Sequence, residues 1–109
     1  MAPRLKAGIF VRALIRRAEV AGAYAFILRK GAEEAGAVFL KVSRLDGQVT
    51  VLEQVRRGEG DLAWMKPLGE ADEERAKAYL EKQIRFDPDL WIVEIEDREG
   101  RAFVDEPVI

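Results

Sequence analysis

A chain of 109 residues, 49% apolar and 35% charged, is long enough for one hydrophobic core but not two, and too apolar to stay disordered; a single domain over 1–109 is expected. Cysteine, histidine and asparagine are absent and Ser43 and Thr50 are the only aliphatic hydroxyls, which excludes disulfides, nucleophilic triads, Cys–His dyads and thiolate or imidazole metal sites. The net charge of −2 conceals a split: residues 1–60 carry 11 basic and 6 acidic side chains, residues 61–109 carry 7 and 14, so the halves either complement each other in packing or leave a basic face for an anionic partner.

In chain order, Lys6–Ala21 reads as a helix, with Pro3 ahead of it and Gly22 placed to take the left-handed conformation just past its end. Its arginines interrupt the apolar run a signal peptide would need, and no stretch approaches the roughly 20 residues of a membrane span, so the expectation is a cytoplasmic protein without membrane contact. Ala7, Phe10, Val11, Leu14, Ile15 and Ala18 share one broad face, opposite Arg12, Arg16 and Glu19. A thinner stripe of Ile9, Ala13 and Val20, with Arg17 between, is expected to be partly covered by neighbouring elements; left exposed, it is a candidate contact for a second subunit.

Tyr24–Arg29 reads as a strand too apolar to be an edge exposed on both sides. A glycine-bounded turn, Lys30–Gly36, leads to a strand over Ala37–Ser43; Asp46-Gly47 signals a hairpin, and Val49–Val55 returns. Connections this short exclude parallel crossovers, so these strands are expected to form an antiparallel meander. Arg56–Asp61 is read as a polar and mobile loop, Leu62–Pro67 as a short strand carrying Trp64, and Asp72–Arg85 as a surface helix with acids at its start and Lys82 and Arg85 near its end. The apolar stripe of that helix is narrow: Ala76, Leu80 and Ile84, with Tyr79 at its flank.

Phe86–Asp97 is the most apolar and most sharply bounded stretch. Pro88 forbids helix at Asp87. Beyond it Trp91, Val93 and Ile95 make one wholly apolar face, while Leu90 and Ile92 begin the other before Glu94 and Glu96 end it. This is read as the innermost strand, followed by a turn at Arg98–Gly100 and an extended tail over Arg101–Val104. The fold expected is α+β: two helices and an antiparallel or mixed sheet of four to five strands, in the order αβββ(β)αβ. Its core is expected to contain Trp91, Val93, Ile95, Phe10, Leu14, Phe26, Phe39 and Leu40.

Three clusters are candidate sites. The acids Asp87, Asp89, Glu94, Glu96 and Asp97 flank the last strand, and Glu94 and Glu96 share a face as two Mg²⁺ ligands would, but Asp87 and Glu94 are up to about 23 Å apart if extended. The element order also invites comparison with the restriction-endonuclease core, yet no Asp/Glu-x-Lys occurs; the nearest approaches, Glu73-x-Arg75 and Glu96-x-Arg98, end in arginine. Arg12, Arg16, Arg17, Arg56 and Arg57, with Arg4, Lys6, Arg29 and Lys30 possible neighbours, would grip phosphates, with Trp64 or Tyr24 to stack a base. Ile9, Ala13 and Val20, the two tryptophans and the apolar Val108-Ile109 are material for an interface.

The stretch Arg85–Asp97, together with Pro3-Arg4-Leu5, the arginine-bearing first helix and Ala35-Gly36-Ala37-Val38-Phe39-Leu40, resembles a family of short bacterial proteins catalogued as domain of unknown function 1491. That resemblance implies a small cytoplasmic bacterial protein and brings no activity, catalytic residue or cofactor with it. The residues favour a non-enzymatic interaction domain that binds a protein partner or itself as a homodimer, with no cofactor. The alternatives are nucleic-acid binding through the first helix and a carboxylate-dependent metalloenzyme of nuclease-like fold.

Overall fold

In the computed structural model, which describes residues 5–58 and 60–109, the strand read as innermost is filled in between two others. The elements are α1 (Ala7–Val20), β1 (Tyr24–Arg29), β2 (Val38–Ser43), β3 (Gln48–Arg57), β4 (Asp61–Met65), β5 (Glu70–Asp72), α2 (Glu73–Phe86) and β6 (Trp91–Glu96). Pro3, Arg4 and Glu59 lie outside the described residues. The six-stranded mixed sheet runs β1-β6-β2-β3-β4, with β5 paired to β3 on the same side as β4, beyond the end of β4. Only the β2–β6 pair is parallel. No helix among the described residues is long and apolar enough to cross a membrane.

Several expectations are thereby corrected. The first three strands are not a meander: β6 sits between β1 and β2, and the meander is β2-β3-β4. Short connections do exclude a parallel crossover between sequential neighbours, but they do not prevent a distant strand from entering between them. Arg56 and Arg57 are not loop residues; they belong to β3 and pair with Leu62 and Asp61 across a tight hairpin. The three residues of β5 carry no apolar signal and were not foreseen as a strand. The tail after Gly100 is irregular; Ala102, Phe103 and Val104 pack against the core and Val108 bridges Trp64.

Each helix covers one face. On the first, α1 buries Val11, Leu14 and Ala18 against Leu40, Trp91, Val93 and Ile95, and Phe10 stacks on Trp64 with ring centroids 6.0 Å apart. Gly22, at φ 91°, ends α1: its N–H reaches the Glu19 carbonyl and that of Ala23 reaches Ala18, so two otherwise orphaned carbonyls are satisfied. On the second face, α2 starts at an Asp72 cap that accepts from the Arg75 N–H at 2.8 Å and buries Ala76 and Leu80 over Phe39, Val49, Val51 and Ile92. Six of the eight expected core residues are buried; Phe10 is half-buried and Phe26 is 41% exposed.

The β1–β2 connection crosses over the start of β6. Ala32 N–H donates to the Asp89 carbonyl at 2.8 Å, and the Trp91 indole N–H donates back to the Ala32 carbonyl at 2.7 Å. A Cβ on Gly31 would lie 2.3 Å from the Asp89 carbonyl oxygen, and one on Gly36 2.5 Å from the same atom, so this crossing tolerates only glycine without moving the backbone.

Trp91→Ala should cost about 3–5 kcal/mol in denaturant melts, because it empties the centre of the larger core and frees the latch on Ala32. Gly31→Ala should cost about 1–3 kcal/mol through overpacking at the crossing. A loss under about 1 kcal/mol for Trp91→Ala would contradict the placement of β6 in the core.

Candidate functional site

On the α2 face, β2 places Phe39 and Lys41, β6 places Leu90, Ile92 and Glu94, and β1 places Tyr24 and Phe26, because alternate residues of a strand share a side. The helix lies over β3 and β5 and reaches Ile92 at the start of β6, so on this face β1 and the later half of β6 have no helix above them. The result is a groove of about 290 Å³ with Ile92 as floor, Lys77, Leu80, Glu81 and Ile84 of α2 as one wall, Leu28 and Arg29 of β1 as the other, and Lys41 at its inner end. Arg29 donates to the Pro88 carbonyl at 2.8 Å, while its buried Nε has no partner among the described residues.

Lys41 is 7% exposed and is held by two carboxylates: Glu94 beside it on β6, at 3.1 Å, and Glu73 in the first turn of α2. Burial is the largest single influence and pulls its ammonium down, but the hydrogen bonds to Glu73 and Glu94 and their charges together outweigh it and hold the group above the ordinary lysine value. Lys41 therefore ties β2, β6 and α2 together. Further along the same face, burial pushes the half-buried Glu53 carboxyl up; burial and then the Glu53 charge push up the Tyr79 phenol, which sits on Phe39.

Beyond the groove lies β1 itself, the edge of the sheet. Tyr24 is 75%, Phe26 41%, Ile27 38% and Leu28 49% exposed, whereas Ala25 is buried under α1. The strand expected to be covered is thus an apolar edge, bearing a bulge between Ile27 and Arg29 that sets Arg29 beside Leu28 in the groove wall.

The other candidates fall in separate places. Ile9, Ala13 and Val20 remain exposed on the outer side of α1. Arg12 pairs with Glu33 and Arg17 with Asp105; Arg56 donates to the Gly60 carbonyl; Arg16 and Arg57 are exposed and make no ion pair among the described residues. Trp64 is fully buried, its indole N–H donating to Glu106 at 3.0 Å, so it stacks no base; Tyr24 is free to. The acids do not converge. Glu94 faces Lys41, Asp97 takes a bidentate grip from Arg101 that holds its carboxyl below the usual range, and Asp87 accepts from the Asp89 N–H. Among the described residues no three carboxylates could hold one metal ion. Lys41, Glu73 and the exposed β1 edge were not foreseen; the one signal for Lys41 is a charge set inside the apolar run Val38–Val42.

Comparison with known proteins gives this geometry a family but no chemistry. The model for a protein of unknown function, DUF1491, matches residues 5–105. The chain is similar to the crystal structure of a DUF1491 family protein from Caulobacter crescentus CB15, at 48% identity and a TM-score of 0.92 over 97% of this chain and 100% of that one. It is likewise similar to an NMR structure of a DUF1491 family protein from the same organism, at 47% identity and 0.89 over 99% of each chain. A protein of A. tumefaciens solved in solution matches at 35% identity and 0.81 over 95% of each. No curated protein matches.

Lys41→Met should lower stability at pH 7 by about 1–3 kcal/mol, since it leaves Glu94 nearly buried without its counter-charge. The folded-state value of Lys41 is raised, so its contribution is complete below 10.5, where the unfolded lysine titrates, and is lost as pH climbs through the higher folded value. Urea melts at pH 7 and above pH 10.5 should therefore show the gap between variant and wild type closing; a gap that stays constant would assign it to packing.

Proposed function

The chain belongs to the DUF1491 family, and on that premise we propose that it is a cytoplasmic, non-enzymatic protein-interaction domain that docks a polypeptide on the uncovered half of its sheet, along β1 and the adjoining groove. One observation carries the reading: consecutive apolar residues from Tyr24 to Leu28 stand on an edge strand whose outer side pairs with no strand among the described residues. Sheet edges are ordinarily blunted by charge, proline or cover, because an open apolar edge is a template for another chain. Here charge begins only at Arg29 and Lys30, after the bulge. The groove adds depth to the edge: Leu28, Leu80, Ile84 and Ile92 offer apolar contact, and Lys77 and Glu81 form a polar rim, the usual anatomy of a recognition surface.

Nucleic-acid binding is supported less. Two of the five arginines that would carry it are engaged with carboxylates, and Tyr24 stands apart from them on β1.

The test is a native pull-down of the tagged protein from a lysate of its own cells, treated with nuclease. Wild type should retain a protein, itself or another, and Leu28→Glu should lose it by at least about tenfold, as expected when a charge replaces an apolar contact at an interface centre, while its thermal melt stays near that of wild type. Recovery that disappears with nuclease treatment alone would instead favour the arginine face.

A further inference from the structure

We infer that the polypeptide docked on β1 is the β1 of a second copy, joined antiparallel across a two-fold axis at Phe26. The inference rests on the docking reading above and adds the partner and the register.

Residues directly opposite in an antiparallel pair must share a sheet face. In β1, Tyr24, Phe26 and Leu28 lie on the α2 face and Ala25 and Ile27 on the α1 face, and the bulge at Leu28 adds Arg29 to the α2 face. A two-fold at Phe26 therefore matches faces throughout: Phe26 meets its own copy, Tyr24 meets the partner's Leu28, and Ala25 meets the partner's Ile27. The small residue faces the large one on the helix-covered side, and aromatic or branched residues face one another on the open side, the pairings that stabilise sheets best. The alternatives fit worse. A two-fold at Ala25 leaves Leu28 without a partner, and one at Ile27 puts Arg29 opposite Ala25 and carries the pairing through the bulge, where the regular ladder is lost.

Charge selects the same arrangement. No charged residue lies between Tyr24 and Leu28. Antiparallel pairing about Phe26 keeps Arg29 and the partner's Arg29 about 20 Å apart, whereas parallel pairing would set them side by side. It also brings Arg29 and Lys30 toward the end where Glu96 stands beside Tyr24 in the ladder, so each positive end meets a negative one. An edge of another protein would have to reproduce a charge-free, face-matched run of this length; the chain's own edge has it already.

The absence of cysteine makes a clean test. A Phe26→Cys variant puts two thiols directly opposite, at a Cα spacing of about 4.5–5.5 Å that a disulfide spans. Under mild oxidation of the full-length chain it should form a covalent dimer. Tyr24→Cys and Leu28→Cys should each form no covalent dimer alone, since each lies about 13 Å from its own copy, and should cross-link when mixed. Val20→Cys, on the outer side of α1, is the control. Light scattering of the unmodified chain should give a dimer at micromolar concentration. Cross-linking of Phe26→Cys no faster than Val20→Cys would overturn the proposal, as would efficient cross-linking of Tyr24→Cys with itself. If that failure is accompanied by stoichiometric capture of a different protein that Leu28→Glu abolishes, the second-copy inference falls and the docking reading stands; if nothing is captured, both fall.

Discussion

The fold depends on the hydrogen bond from the Trp91 indole to the Ala32 carbonyl and on the close crossing it secures. β1 and β2 are joined by a short connection yet do not touch; the gap between them is one strand wide and is filled by β6, nearly fifty residues further along than β2. The connection has to pass over the start of β6 at backbone contact distance, which is why Gly31 and Gly36 stand where any Cβ would strike the Asp89 carbonyl. Trp91 is both the largest side chain at the centre of the core and the donor that fixes the crossing. Burial supplies the energy there, and the single directional bond supplies the register.

From that insertion the asymmetry of the molecule follows. The face under α1 is covered from Ala25 of β1 to Trp64 of β4, with Phe10 reaching Trp64 at the far side. The opposite face has only α2, set over β3 and β5, and the side chains of β6 register the change of environment along their length: Leu90 and Ile92 are buried, while Glu94 and Glu96 are not. Lys41 marks the boundary. An ammonium in an otherwise apolar strand is tolerable because it lies between Glu94 and Glu73, and in that position it clamps the helix start to the two central strands. What remains bare beyond it is apolar.

Much of this was legible in the residues. Pro88 and the period-two pattern of Leu90–Glu96 were enough for β6, the Asp72 cap and acidic first turn for α2, and Gly22 for the end of α1. The sheet order was not, because strand pairing between distant segments leaves no trace in either segment alone; Tyr24–Leu28 reads equally well as a covered strand or as an open edge, and the apolar content that argued for cover is what makes the edge unusual. Lys41, Glu73 and Glu94 belong to three elements and converge only through the β2–β6 register, so no spacing in the chain announces them. The stripe of Ile9, Ala13 and Val20 on α1, expected to be partly covered by neighbouring elements, is exposed, and the larger apolar surface lies elsewhere, on β1.

The insertion of β6 also has a consequence for biosynthesis. A chain that ends before Trp91 lacks the strand that both β1 and β2 pair with, and the two margins so left open lie about 10 Å apart in the finished sheet. Only Trp91–Glu96 saturates both at once. The last strand in the sequence is thus the keystone of the sheet, and a chain stopped short of it keeps open edges of the kind other chains pair with.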